Sequence, residues 1–223
     1  MLSKRLNKIV NFVKNDNGIA DIGSDHGYVL FKIREKGFMS RLLGVENKKA
    51  PFLRLQQNIK KYKVTGVDAI LSDGLDDVTS EYKTIIIAGM GFDTIKMIVT
   101  KNINKISFIN NFVIDAHTDK AEVRPFFTSL GYKIINEEII FEDGIYYDLI
   151  SFEKCESAIN YSKVELEFGP YNISNKPQLF KDMLNSEIQK NTIIIEKINN
   201  LNSDKSKMLT ARNEYLRGIL NEN

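Results

Sequence analysis

The sequence has little of what covalent and metal-centred sites are built from. Its single cysteine, Cys155, excludes a disulfide framework and a cysteine-rich zinc site. Two histidines, His26 and His117, are too few for a histidine-built metal centre, so no metal is expected. No apolar run approaches the roughly 20 residues of a membrane-spanning helix. The opening M-L-S-K-R-L-N-K lacks the apolar core of a signal peptide. The expectation is a soluble, cytoplasmic protein without membrane contact. Nor is there an excess of one charge: 31 basic residues face 29 acidic ones, which excludes binding of a polyanion by net charge alone. The charge is uneven, however. Residues 1–60 carry 12 Lys/Arg against 5 Asp/Glu. A basic face of this kind draws in a polyanion locally, or is a solvated helix surface.

What is present is an alternation of strand and helix. Residues 3–15 place Leu6, Ile9, Val10 and Val13 on one helical face. Strands are expected at 19–22, 42–45, 67–71, 84–88 and 112–115, with helices at 28–36, 48–62, 92–101 and 120–130. The run T-I-I-I-A at 84–88 has the composition of a strand buried on both faces. Two further strands, 133–141 and 145–152, flank Asp143-Gly144, a hairpin turn signal. This is an α/β pattern: a parallel sheet covered by helices, closed by an antiparallel pair. The organisation expected is a first domain over 1–155, a connector over 156–175 containing Phe168-Gly169-Pro170, and a helical hairpin over 176–223 interrupted near Asn199–Asp204. That hairpin reads as a coiled coil.

In open sheets of this kind, ligands bind at the carboxyl ends of the strands, near the switch in strand order. Four loops meet there. The first, D-I-G-S-D-H-G-Y from Asp21 to Tyr28, has glycines at Gly23 and Gly27 for a tight turn and close backbone approach. It is not G-x-G-x-x-G. Asp25 stands where the middle glycine would be, and a carboxylate there repels a pyrophosphate but suits a cationic ligand such as S-adenosylmethionine. Glu46 ends the second strand, where an acid accepts hydrogen bonds from ribose hydroxyls; it marks an adenosine, not a particular cofactor. Asp73, in Ser72-Asp73-Gly74, is placed to accept from an adenine amine, and tilts the choice towards S-adenosylmethionine. Ala88-Gly89-Met90-Gly91 follows the most buried strand and leaves room for a flat acceptor. Met90 there either packs against a base or fills core.

The segments L-S-K-R-L, D-I-G-S-D-H, G-V-E, S-D-G-L and I-A-G-M-G, then L-G-Y, E-x-G-x-Y-Y and F-G-P, occur in that order. Together they resemble the bacterial tRNA (adenine-22-N1)-methyltransferase family over nearly the whole chain. The resemblance implies a Rossmann-like class I methyltransferase sheet with helices on both faces, plus a C-terminal coiled-coil hairpin. It implies S-adenosylmethionine as cofactor and tRNA as partner, with methylation at N1 of an adenine in the D-loop region. By position it implies a cofactor set of Asp21, Gly23, Ser24, Asp25, Glu46, Asn47, Asp73, Gly74, Ala88 and Gly89. Asp25, His26, Tyr28 and Met90 would lie nearest methyl transfer. Lys4, Arg5, Lys48, Lys49, Phe92 and His117 would face the substrate. A monomer is expected, with the C-terminal helices as a possible dimer surface. Two departures fall on the acceptor side: Phe92 stands where the family commonly has glycine, and Asp115-Ala116-His117 where it commonly has Q-P-N. Phe92 either stacks on the base or fills core. The rival readings are a methyltransferase of another acceptor, a non-catalytic binding module, and a nicotinamide oxidoreductase, which Asp25 and Asp73 disfavour.

Overall fold

A computed structural model describes residues 3–14, 17–157, 159–198 and 203–221. Leu2, Leu201 and the interruption at 199–202 lie outside the described residues. The chain forms two compact units, Met1–Glu167 and Phe168–Asn223.

The first unit carries seven strands: β1 (Ile19–Ile22), β2 (Leu42–Glu46), β3 (Val67–Leu71), β4 (Thr84–Met90), β5 (Asn111–Ala116), β6 (Tyr132–Glu142) and β7 (Ile145–Lys154). They form one sheet in the order β3-β2-β1-β4-β5-β7-β6. The first five are mutually parallel, and β7 runs antiparallel to both β5 and β6. Strand order reverses between β1 and β4, so the crevice expected of such sheets opens at their carboxyl ends. The helices are α1 (Lys4–Phe12), α2 (Tyr28–Glu35), α3 (Lys49–Lys61), α4 (Phe92–Lys101) and α5 (Val123–Ser129).

The β4 run shows why the sheet is covered on both sides. Ile85 and Ile87 point into one core layer with Ala20, Leu43 and Phe112, under α4 and α5. Ile86 points into the other with Ile19, Leu42 and Val113, under α1 and α2. Alternate side chains of one strand thus enter opposite layers, and a polar residue on either face would be buried. The hairpin tip has Asp143 at φ 51° and Gly144 at φ 78°, the two left-handed residues a tight hairpin demands.

The helix expected over 120–130 is shorter. Lys120–Glu122 form a 3-10 turn, and α5 begins only at Val123. Pro125 supplies the reason. In a helix begun at Lys120 it would sit in the interior and remove a backbone hydrogen bond, whereas it is tolerated in a first turn. Arg124 then locks α5 to the hairpin. Its guanidinium is fully buried. It donates to Glu137 Oε2 at 2.9 Å and to both oxygens of Asp148, at 2.9 and 2.7 Å.

The connector segment before the long helices contains α6 (Lys163–Phe168) and α7 (Pro170–Asn175). The second unit pairs α8 (Gln178–Glu196) with α9 (Asp204–Asn221). They run antiparallel: Lys176 reaches the Ile219 carbonyl at 2.7 Å, and Glu187 pairs with Arg212 at 2.7 Å. Leu184, Ile188, Leu216 and Ile219 are buried. So is an amide pair, Asn191 donating to Asn213 at 3.0 Å. No helix among the described residues is long and apolar enough to cross a membrane.

Arg124→Ala leaves two carboxylates without their buried cation. It should cost about 3–5 kcal/mol of stability, measured by urea unfolding; a loss below about 1 kcal/mol would show that the cluster is solvated.

Candidate active site

The loop from β1 to α2 is wound tightly. Gly23, Asp25 and Gly27 all take positive φ, at 75°, 45° and 76°. At φ 76° a side chain on Gly27 would be strained, and its Cβ would also come within 2.5 Å of a Leu55 methyl. Asp25 is the non-glycine of the three, a conformation aspartate accepts more readily than most residues. Its backbone N–H donates to Glu46 Oε1 at the end of β2. Its carboxylate takes Arg54 of α3 at 3.0 Å and lies 3.5 Å from His26 Nε2. Asn58, one turn further along α3, donates to the His26 carbonyl at 3.0 Å. The His26 ring stacks on Tyr28, centroids 5.3 Å apart and planes 10° from parallel. α3 therefore acts as the frame that holds Asp25, His26 and Tyr28 in sequence along the crevice.

The crevice floor is acidic. Asp21 is buried, and burial followed by the Glu46 charge pushes its carboxyl up to about 7. Glu46 is also raised, chiefly by burial; the Asp25 backbone N–H opposes the shift. Ser24 Oγ is buried among these acids with no hydrogen-bond partner. Gly44 lets β2 pass beside it, since a Cβ there would lie 2.7 Å from that oxygen. Two buried acids and an unsatisfied hydroxyl form a pocket wanting a ligand with positive charge and donors.

On the opposite side, β4 bulges between Ala88 and Met90, with Gly89 at φ 82°. The bulge bends the end of the strand beside the crevice. The Met90 methyl sits where a Cβ on Gly23 would be, 2.5 Å away, so the side chain bridges the β1 and β4 loops. Asp115 is fully buried and paired with Arg5 of α1. The same Arg5 Nη1 lies 3.4 Å from His117 Nε2. A guanidinium only donates, so a hydrogen bond between the two requires Nε2 to be the accepting nitrogen. Burial, the largest influence, also lowers the His117 pKa, keeping the ring neutral.

A cavity of about 330 Å³ lies among these parts, and Glu46, Met90 and Asp115 are not among its lining residues. It brings together Asp21, Gly23, Ser24, Asp25, His26, Tyr28, Ala88 and Gly89 with Arg5 and His117. Other expected residues stand apart from it. Asp73 pairs with Lys101 at 2.8 Å. Gly74 packs against Ile98, and Asn47, Lys48 and Lys49 are exposed at the start of α3. Lys4 is exposed, its backbone N–H held by Glu142 at 2.7 Å. Of the two readings of Phe92, burial fits the core one. Its ring meets Phe126 edge-on at 5.8 Å and is 6% exposed, which leaves no open face for a base. Arg5 differs from an open phosphate-gripping residue for a similar reason, since Asp115 holds its guanidinium. Sequence reasoning counted Arg54 only within the basic face of residues 1–60 and missed Asn58. Their four-residue spacing on α3, one helical turn, was the only available signal. Among the described residues no cluster of His, Cys, Asp or Glu could hold a metal ion.

Sheet order and an acidic, glycine-lined crevice at the switch point define a Rossmann-like methyltransferase domain. Residues 2–150 match the family described as "Methyltransferase domain". The chain is 27% identical over 233 residues to the tRNA (adenine(22)-N(1))-methyltransferase of Bacillus subtilis, covering 98% of this chain and 97% of that protein. It superimposes on the solved structure of M. capricolum TrmK, in complex with S-adenosyl-homocysteine, with a TM-score of 0.86. That pair is 30% identical, covering 98% and 97% of the two chains. For the B. subtilis m1A22 tRNA methyltransferase TrmK the TM-score is 0.84 at 25% identity, covering 99% of each. The chain belongs to the methyltransferase-domain family and, within it, to the TrmK family of tRNA methyltransferases.

Between about pH 4 and 7 the folded protein keeps the Asp21 proton that the unfolded chain has released. Its stability therefore falls as pH rises through that window. Asp21→Asn should flatten the fall and make the ligand-free protein more stable near pH 8, by on the order of 1–3 kcal/mol. Parallel pH–stability curves for variant and wild type would rule out a buried titrating acid here.

Proposed function

We propose that the chain transfers a methyl group from S-adenosylmethionine to N1 of adenine 22 in the D-loop region of tRNA. The observation that carries this is the Asp21–Tyr28 loop. It sets a cofactor-facing acid, an acceptor-facing carboxylate and a stacked His–Tyr pair along one cavity. The names of the relatives support the same substrate and cofactor.

The acidic floor fits the cofactor. Asp21 and Ser24 Oγ are placed for its cationic amino acid end, and Glu46 for the ribose. One Glu46 oxygen holds Asp25; the other remains to accept from a hydroxyl. Asp73 serves the adenine by exchanging its contact with Lys101. When bound, S-adenosylmethionine supplies an electrophilic methyl on a sulfonium. Adenine N1 has a lone pair at neutral pH and needs no base to expose it. The protein's work is alignment and charge placement. The methylated base is cationic, and Asp25 beside it offsets that charge. Asp25 serves the base by exchanging its contact with Arg54, while on the β5 side Asp115 neutralises Arg5 and His117 is uncharged. N1 is engaged in Watson–Crick pairing, so the base must enter unpaired or flipped. Tyr28 and His26 offer it a stacking surface.

Lys4, Lys48 and Lys49 are exposed and suit contacts to tRNA phosphates. The C-terminal unit suits gripping by shape: residues 156–223 carry 9 basic and 9 acidic side chains. Its paired helices serve as a coiled-coil-like arm in this reading. The protein acts as a monomer, with Ile193, Ile194 and Met208, all exposed on those helices, as the surface a dimer would use. Such a substrate places the protein in the cytoplasm.

Purified protein given tRNA and radiolabelled cofactor should label the tRNA. Asp25→Ala should lower turnover about 100-fold or more while tRNA binding stays near wild type. Full turnover in the variant would remove Asp25 from the mechanism. No labelling of any tRNA by the wild type would refute the assigned activity.

A further inference from the structure

A second cavity lies against the reaction crevice. It is larger, about 410 Å³, and sits between α2 and the C-terminal end of α3. Tyr28 lines both cavities. On the crevice side its ring stacks on His26. On the other side it meets Phe31 at 6.3 Å and Tyr62 at 6.5 Å, both edge-on. Phe31 and Tyr62 are 5.9 Å apart. An unbroken row of rings thus runs from the acceptor side of the active site to a surface pocket. Phe31 is buried, but Tyr28 is 40% and Tyr62 49% exposed. Two large rings left half open beside an active site offer stacking faces.

The pocket is lined by Tyr28, Phe31, Tyr62 and Val64 together with Lys32, Arg34 and Glu35. The Arg34 guanidinium on one wall is engaged by the Phe38, Ser40 and Gly66 carbonyls, so it is a fixed structural element. Lys32 neutralises Glu35 on the rim at 2.6 Å. Lys60, Lys61 and Lys63 are exposed beside Tyr62, and the Lys61 ammonium lies 5.3 Å from its ring. An apolar aromatic floor with a cationic rim is the pattern that takes a base into the pocket and its phosphate along the edge. A free anion would find only the Tyr28 and Tyr62 hydroxyls on that floor, and these are hydrogen-bonded to each other. A protein partner's apolar side chain would leave the lysines unmatched.

We propose that this second cavity receives the unpaired nucleotide adjacent to the target adenine, its base stacked on Tyr62 and Tyr28. The inference rests on the tRNA substrate proposed above. A base entering the crevice leaves its own stack, and its neighbour loses a stacking partner as it does so. Tyr28, shared by the two cavities, is where the two bases part. Holding the neighbour on Tyr62 fixes the strand direction, and so which nucleotide reaches the crevice.

Tyr62→Ala should raise the KM for tRNA about tenfold, the scale of one base–aromatic stack. The Kd for S-adenosylmethionine should not change, and Tyr62→Phe, which keeps the ring, should restore the KM. An abasic site placed on one side of the target adenine should weaken wild-type binding by a similar factor and cost Tyr62→Ala nothing more. An unchanged KM in Tyr62→Ala, equal loss in Tyr62→Phe, or multiplying losses for the variant and the abasic site would overturn the proposal with the tRNA reading intact. Should Tyr62→Ala fail to bind cofactor, the abasic arm on wild-type protein decides: no loss on either side of the target overturns it. Failure of the wild type to methylate any tRNA would remove the substrate reading itself, and this proposal with it.

Discussion

The hydrogen bond from the Asp25 backbone to Glu46 closes the crevice, and the rest of the site is arranged around it. It ties the loop after β1 to the end of β2. With it in place, Asp25 is held at a positive φ, its carboxylate turns towards Arg54, and His26 stacks on Tyr28. The same bond keeps the Glu46 carboxylate at the crevice floor, near enough to Asp21 to raise it. The ligand-free site therefore holds two acids in a region that disfavours their charge. A cationic ligand with hydroxyl donors relieves that conflict, and a pyrophosphate would worsen it. Selectivity for the cofactor is written in this unfavourable apo electrostatics as much as in shape.

The acceptor side works by the opposite rule. There the buried acid, Asp115, already has a cation beside it, although burial still raises its carboxyl. Arg5 comes from α1, the first helix, and reaches Asp115 at the end of β5. The same Arg5 Nη1 lies against His117 Nε2, and burial lowers the pKa of that ring. A reaction that creates a cationic base benefits from having no exposed cation at that wall. The two family departures fit this arrangement: Asp115 and His117 form the Arg5 cluster, and Phe92 starts α4 with its ring in the core.

The framework was legible in the sequence because its signals are local. The apolar run at 84–88 gives away a central strand, Asp143-Gly144 its turn, and the acids after β1, β2 and β3 their place on one edge. The start of α5 was misplaced because Pro125 acts on a backbone bond four residues away, which periodicity alone does not register. The two short helices before α8 lack a full amphipathic repeat and read as connector. Partners distant in the chain were invisible. Lys101 meets Asp73 across 28 residues, and Arg5 meets Asp115 across 110. These pairings decide which expected side chains are open to a ligand. Motif position places a residue at the crevice; only packing tells whether its charge is already taken.

Calorimetric titration of S-adenosylmethionine into wild-type protein and Glu46→Gln, with NAD as control, tests the central claim most directly. The account predicts that the wild type binds S-adenosylmethionine and not NAD, and that Glu46→Gln loses affinity at least tenfold, about 1.4 kcal/mol. It does so because the amide keeps one acceptor oxygen where the carboxylate has two, and no charge, so it cannot both hold the Asp25 N–H and accept from the ribose. Equal affinity in Glu46→Gln, or preferential binding of NAD by the wild type, would contradict it.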